Sequence, residues 1–101
     1  MLNIKTERQK GKISFSLSGQ FDMGTADILE DAVENEDLTG VQSIAFVLSK
    51  LEFIDSTGIG ELIKYYRKFA GQGITMELIN ENPEIEEVLE LIGVREIMAE
   101  N

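Results

Sequence analysis

The chain has 101 residues, 43% of them hydrophobic, and nineteen acidic side chains against nine basic ones give a net charge of −10. It contains no cysteine and no histidine, which excludes disulfides, thiolate metal sites, cysteine nucleophiles, Ser-His-Asp catalysis and the usual general base near neutral pH. The negative charge disfavours direct binding to nucleic acid or to anionic lipid, since both need lysine and arginine to neutralise phosphates.

The length predicts one domain over residues 1–101. Leu2, Ile4 and Thr6 alternate with polar residues, a weak strand signal, and Gln9 to Lys12 reads as a turn. Ile13, Phe15 and Leu17 then alternate strictly with Ser14, Ser16 and Ser18, the pattern of a half-buried strand. The two segments predict an N-terminal hairpin, followed by a loop over Gly19 to Gly24.

Ile28, Leu29, Ala32 and Val33 recur at helical spacing, with acidic residues on the other face. Ile44 to Leu48 is a continuous apolar run, which suits a strand covered on both faces. A second helix follows Asp55, with Ile59, Leu62, Ile63, Tyr66, Phe69 and Ala70 as its apolar stripe and Gly71 and Gly73 as its stop. Ile74, Met76 and Leu78 alternate as another strand. Asn82-Pro83 opens a third helix, with Asn as cap and Pro in the first turn, and Gly93 closes it. Val94 to Asn101 reads as either a short strand or a frayed helical turn.

The order β-β-α-β-α-β-α predicts an α/β domain. Its sheet should be mixed and mostly parallel, of about four strands, with helices packed mainly on one face. Phe46, Val47, Leu62, Ile63, Phe69 and Leu89 are the expected core.

The chemistry concentrates in Phe53 to Gly60, which reads FIDSTGIG. An apolar strand ends there, and Asp55, two hydroxyls and Gly58 lead into a helix. This segment resembles the signature of STAS domains, and of their anti-sigma factor antagonists in particular, F-[MI]-D-S-[ST]-G-[LI]-G. Gly19-Gln20-Phe21-Asp22, followed by Thr25-Ala26, resembles a second feature of that family. The resemblance covers nearly the whole chain, because the element order also fits.

The resemblance implies a small STAS-like fold and a phosphorylation switch. In such antagonists the serine after the motif aspartate is modified by a partner that is both an anti-sigma factor and a serine-protein kinase. That serine is Ser56 here. The unphosphorylated form would bind the anti-sigma factor and free the sigma factor, and a serine phosphatase would reset the switch. Asp22, Asp55, Ser56, Thr57, Gly58 and Gly60 would form the partner-binding face.

Each residue also has a plainer reading. Ser56 can be only a helix N-cap, and Thr57 is the alternative acceptor. Asp55 can shape the turn through its own side chain, and Asp22 can be a solvated loop residue. Gly58 and Gly60 read as steric: a side chain there would crowd the partner or the neighbouring loop. Glu84, Glu86, Glu87 and Glu90 read as a solvated helix face rather than a metal site.

Gln20, Ser49 and Lys50 depart from the family pattern without touching Ser56, which leaves partner identity open. No catalytic residue, metal or cofactor is expected, and Gly58-Ile59-Gly60 is too short for a nucleotide-binding loop. No signal peptide or membrane span is discernible, so a cytoplasmic protein is expected. The alternative function is an unmodified STAS subunit of a larger complex, such as a stress-signalling assembly or a lipid-transport ATPase.

Overall fold

The computed structural model describes residues 1–99. Strands β1 (Leu2–Gln9) and β2 (Lys12–Phe21) form the expected antiparallel hairpin, closed by Lys10 and Gly11. Helix α1 (Ala26–Glu34) crosses to β3 (Ser43–Ile54), and α2 (Ser56–Gly71) crosses to β4 (Thr75–Ile79). Helices α3 (Pro83–Ile92) and α4 (Val94–Ala99) follow. The sheet order is β1-β2-β3-β4, with β2, β3 and β4 mutually parallel. The parallel pairs follow from the two crossover helices, which must each return the chain to the same end of the sheet.

One face of the sheet carries Ile13, Phe15, Leu17, Ile44, Phe46, Leu48, Met76 and Leu78 into a single core. All four helices feed that core: Leu29 and Val33 from α1, Ile59, Leu62, Tyr65 and Phe69 from α2, Ile85 and Leu89 from α3, and Val94 from α4. A chain of stacked rings runs through its centre. Phe15 lies 5.4 Å from Phe46, Phe46 lies 6.1 Å from Tyr65, and Tyr65 lies 5.6 Å from Phe69.

Strand β3 is longer than its apolar run suggested. Against β2 it slips register twice, between Ser16 and Ser18 and between Gly19 and Gln20. Each slip inserts an extra residue into β3, so alternation breaks and Leu48, Leu51 and Ile54 all reach the core at a spacing of three. The same slips carry β2 through Gly19 to Phe21, where a loop was expected, and bring its end beside the start of α2.

Four expectations need correction. Val47 is only partly buried, because it neighbours Phe46 along a strand and therefore points to the opposite face. That face carries Ser14, Ser16 and Ser18 on β2, so the run Ile44 to Leu48 is not covered by helices on both sides. On α2 the buried ring is Tyr65, not Tyr66, Ala70 is exposed and Ile63 is half-buried. The segment after Gly93 is neither strand nor frayed turn through residue 99 but helix α4, anchored by buried Val94 and by Tyr66, whose hydroxyl donates to the Met98 carbonyl at 2.6 Å. Residues 100 and 101 of that reading lie outside the described residues.

The helix boundaries follow local chemistry. Asn82 caps α3 by accepting the Glu84 N–H at 3.0 Å, Pro83 fills the first turn, and Gly93 leaves the helix at φ 76°. Thr25 precedes α1 without capping it through its side chain; its hydroxyl is committed to the preceding loop instead.

Candidate functional site

Ser56 is the first residue of α2, and it is exposed. The cap of α2 is Asp55, whose Oδ1 accepts the Gly58 N–H at 3.0 Å. The cap reading of Ser56 is therefore replaced: the aspartate before it does that work, and the Ser56 hydroxyl is left on the surface. Asp55 does shape the turn, as its plainer reading had it. Backbone N–H groups in the first turn of a helix lack intrahelical partners and favour negative charge, and the Asp55 carboxylate already takes one of them.

The second oxygen of Asp55 reaches another segment. Its Oδ2 accepts the Met23 N–H at 3.3 Å, and the Asp55 N–H donates to the Phe21 carbonyl at 3.3 Å. The end of β2 and the start of α2 are thus tied together at their backbones. Gly58 completes the tie. A Cβ there would stand 2.6 Å from the Phe21 carbonyl oxygen and 2.9 Å from Ile54 Cγ1, so only glycine lets α2 start against β2.

Asp22 is not merely solvated. Its Oδ1 accepts the Gly24 N–H at 3.0 Å, and its carbonyl accepts the N–H groups of Thr25 at 3.1 Å and Ala26 at 3.0 Å. The Thr25 hydroxyl accepts the Asp22 N–H at 3.0 Å and donates to the Gln20 carbonyl at 2.9 Å. The result is a tightly bonded loop whose tip, Met23, is 77% exposed.

Asp22, Asp55, Ser56, Thr57, Gly58 and Gly60 therefore come from two segments that meet at one end of the sheet. They differ in accessibility: Ser56 and Gly60 are exposed, Asp22, Asp55 and Thr57 are half-buried, and Gly58 is buried. As a residue, Ser56 is more exposed than Thr57. Met23 escaped the sequence reading, and its only signal there was an apolar residue within a polar loop.

Further along α2 lies a charged cluster that the sequence did not disclose. Lys64 Nζ stands 2.9 Å from both Glu30 Oε2 on α1 and Glu61 Oε2 on α2. Burial works against the Lys64 charge, but hydrogen bonds to Glu30 and Glu61 outweigh it and hold the ammonium above the usual lysine range. Burial pushes the Glu61 carboxyl up, while the bond from Lys64 holds Glu30 down. The cluster pins α1 to α2 behind the Ser56 end.

Among the described residues no group of acidic side chains is arranged to hold a metal, and no helix is long and apolar enough to cross a membrane. Glu86 pairs with Arg95 at 2.7 Å, and Glu84, Glu87 and Glu90 are exposed, as the solvated-face reading expects. Ser56 lines neither the groove of Asn3, Lys5, Ser16 and Lys50 on the open sheet face nor the groove beside Tyr66 and Met76.

Comparison with known proteins agrees with this architecture. The chain is 28% identical over 101 residues to an anti-sigma F factor antagonist of Paenibacillus polymyxa, a match covering 96% of this chain and 84% of that protein. An anti-sigma factor antagonist from Mycobacterium paratuberculosis superposes with a TM-score of 0.84 at 26% identity, over 95% of this chain and 81% of that one. The Bacillus cell fate determinant SpoIIAA in its phosphorylated form shares the fold, with a TM-score of 0.71 at 20% identity over 91% of this chain and 85% of its own. The family model for the STAS domain matches residues 3–100, and the chain belongs to the STAS domain family.

Proposed function

We propose that this domain is an anti-sigma factor antagonist switched by phosphorylation at Ser56. The observation that carries the reading is the division of labour between two adjacent residues: Asp55 caps α2, and Ser56 presents its hydroxyl free on the surface. Two relatives that span most of the chain are anti-sigma factor antagonists. The unmodified face binds an anti-sigma factor, which releases its sigma factor.

That anti-sigma factor is also the serine kinase, a serine phosphatase restores the unmodified form, and the exchange takes place in the cytoplasm. A phosphoryl group on Ser56 adds about −1.5 to −2 charges. The start of α2 tolerates an anion, so the fold need not rearrange. What changes is the docking face, which gains bulk and charge next to Asp55 and Asp22. The domain acts here as a phosphoacceptor and contributes no catalysis of its own.

The test is incubation of the purified chain with the cognate kinase and ATP, followed by intact mass and fragmentation. A gain of one phosphate on Ser56, with loss of anti-sigma binding, is the expected result. Phosphate on Thr57 with Ser56 unmodified would refute the assignment. The absence of phosphate with every kinase-type anti-sigma factor of the source genome would favour the unmodified structural subunit.

A further inference from the structure

One face of the sheet has no helix on it. All four helices pack against the other face, whereas strands that run parallel, as β2, β3 and β4 do, are ordinarily covered on both. The strand registers lay the uncovered side chains out in rows. Lys5, Ser16, Val47 and Ile79 form one row across all four strands. Asn3, Ser18 and Lys50 form the next. The register slip between Ser16 and Ser18 adds a residue to β3, so that Ser49 and Lys50 both border this face.

The short serines of β2 lie between longer side chains on β1 and β3. They floor a groove of about 410 Å³, within the size range of small-molecule sites. Its polar groups are mostly donors, although the chain as a whole carries −10. Lys50 makes no ion pair among the described residues. Lys5 has only Glu7, at 4.0 Å and largely in solvent. The Ser49 hydroxyl accepts the Glu81 N–H at 2.9 Å, which leaves its own proton to give. Beside these donors the face turns apolar, with half-buried Val47 and then Ile79, 38% exposed.

We propose that this face binds a small amphipathic anion, an alkyl carboxylate or alkyl phosphate, with its head over Ser16 and Ser18 between Lys5 and Lys50 and its chain along Val47 and Ile79. Strands stand about 4.8 Å apart, so Lys5 and Lys50 flank β2 at roughly 10 Å from each other. Each ammonium rides on a flexible four-carbon stem and can fold inward onto a charge centred on β2. From there to Ile79 is again roughly 10 Å, a distance that a medium-length alkyl chain spans. A purely polar anion would leave Val47 and Ile79 uncovered, and a neutral alkyl compound would leave Lys50 unpaired. The inference is independent of the function proposed above, because Ser56 does not line this groove.

The test is an amide NMR titration of the purified chain at fixed ionic strength, below micelle formation, with octanoate, octyl phosphate, octanol and inorganic phosphate. Octanoate or octyl phosphate should give saturable shifts centred on Lys5, Ser16, Ser18, Val47 and Lys50, and the tighter of the two identifies the head. Octanol and inorganic phosphate should each bind at least about tenfold more weakly. From butanoate to octanoate, affinity should rise about two- to fourfold per added methylene, as partial to full burial of each predicts. Lys50→Gln should weaken binding at least about fivefold, with Tm in the absence of ligand unchanged because Lys50 is exposed. Ser18→Val, which fills the groove floor, should weaken it as much. Val47→Thr, close to isosteric, should flatten the dependence on chain length. Lys68→Gln is the control, an exposed lysine near the end of α2, and should stay within twofold of the parent. Octanol binding as tightly as the anions would overturn the proposal, as would equal losses for Lys50→Gln and Lys68→Gln. Shifts confined to the groove beside Tyr66 and Met76, or no saturable shift with either anion, would overturn it too.

Discussion

Asp55 and Met23 are joined across 32 positions of sequence by a single hydrogen bond, from the Met23 N–H to Asp55 Oδ2 at 3.3 Å. Because the other oxygen of Asp55 caps α2 through Gly58, one carboxylate holds both segments of the candidate docking face. Asp55→Ala should lower stability by about 0.5–2 kcal/mol, the ordinary cost of a lost N-cap. Urea denaturation measures this. Faster amide exchange at Met23 should accompany it, and unchanged exchange there would show that the cross-segment bond contributes nothing.

Gly58→Ala should cost about 1–3 kcal/mol, as overpacking a filled site does. The obstacle is the backbone carbonyl of Phe21 at 2.6 Å, which cannot swing aside as a flexible side chain can. A denaturation midpoint equal to that of the parent would mean that α2 can pull away from β2 freely. Gly60, where a built Cβ meets nothing within 4 Å, should show the opposite sign on replacement by alanine, although both glycines lie in the first two turns of one helix.

Leu62 and Ile63 are neighbours on α2 with different fates. Leu62 is fully buried and Ile63 half-buried. Leu62→Ala should cost about 2–5 kcal/mol, and Ile63→Ala clearly less, since solvent already reaches the space it would vacate. Equal losses in chemical denaturation would argue against the placement of the α2 stripe.

If phosphate acts by exclusion, backbone NMR shifts between phosphorylated and unmodified protein should change mainly at Asp22, Met23 and Asp55 to Gly60. Changes spread through β4 and α3 would indicate a global conformational switch instead. Ser56→Asp should weaken anti-sigma binding less completely than true phosphate, because aspartate carries one charge and fewer acceptor oxygens. Ser56→Ala should bind and ignore the kinase.

Burial pushes the Tyr65 hydroxyl up to about 12 from an ordinary value of 10.0, and Lys64 is also held above its ordinary value. For both groups the folded state keeps the proton longer than the unfolded chain does. Their contribution is complete below about pH 10 and is lost as pH climbs through the folded values. Unfolding free energy should therefore fall from pH 10 to 12, and Tyr65→Phe should make that fall shallower. An identical slope in parent and variant would show that Tyr65 does not titrate with unfolding.

Much of the fold was legible in local pattern. Strict alternation from Ile13 to Leu17 marked β2, helical spacing from Ile59 to Phe69 marked α2, and Asn82-Pro83 with Gly93 bounded α3. These signals are local because backbone geometry repeats every two or 3.6 residues whatever the rest of the chain does. The FIDSTGIG segment likewise marked the end of the domain where the candidate site lies.

Tertiary structure alone decided which face each residue took. Nothing local separates Phe46 from Val47 or Tyr65 from Tyr66; the single-sided cover of the sheet buried the first of each pair more deeply. The register slips that send Leu48, Leu51 and Ile54 into one core arise from pairing β3 with β2, a relation between distant segments. The same holds at the site. That Asp55 rather than Ser56 caps α2, that it also holds Met23, and that Gly58 is crowded while Gly60 is open depend on where β2 ends in space. Sequence set the residue types at these positions, but only packing between segments 32 residues apart set their contacts.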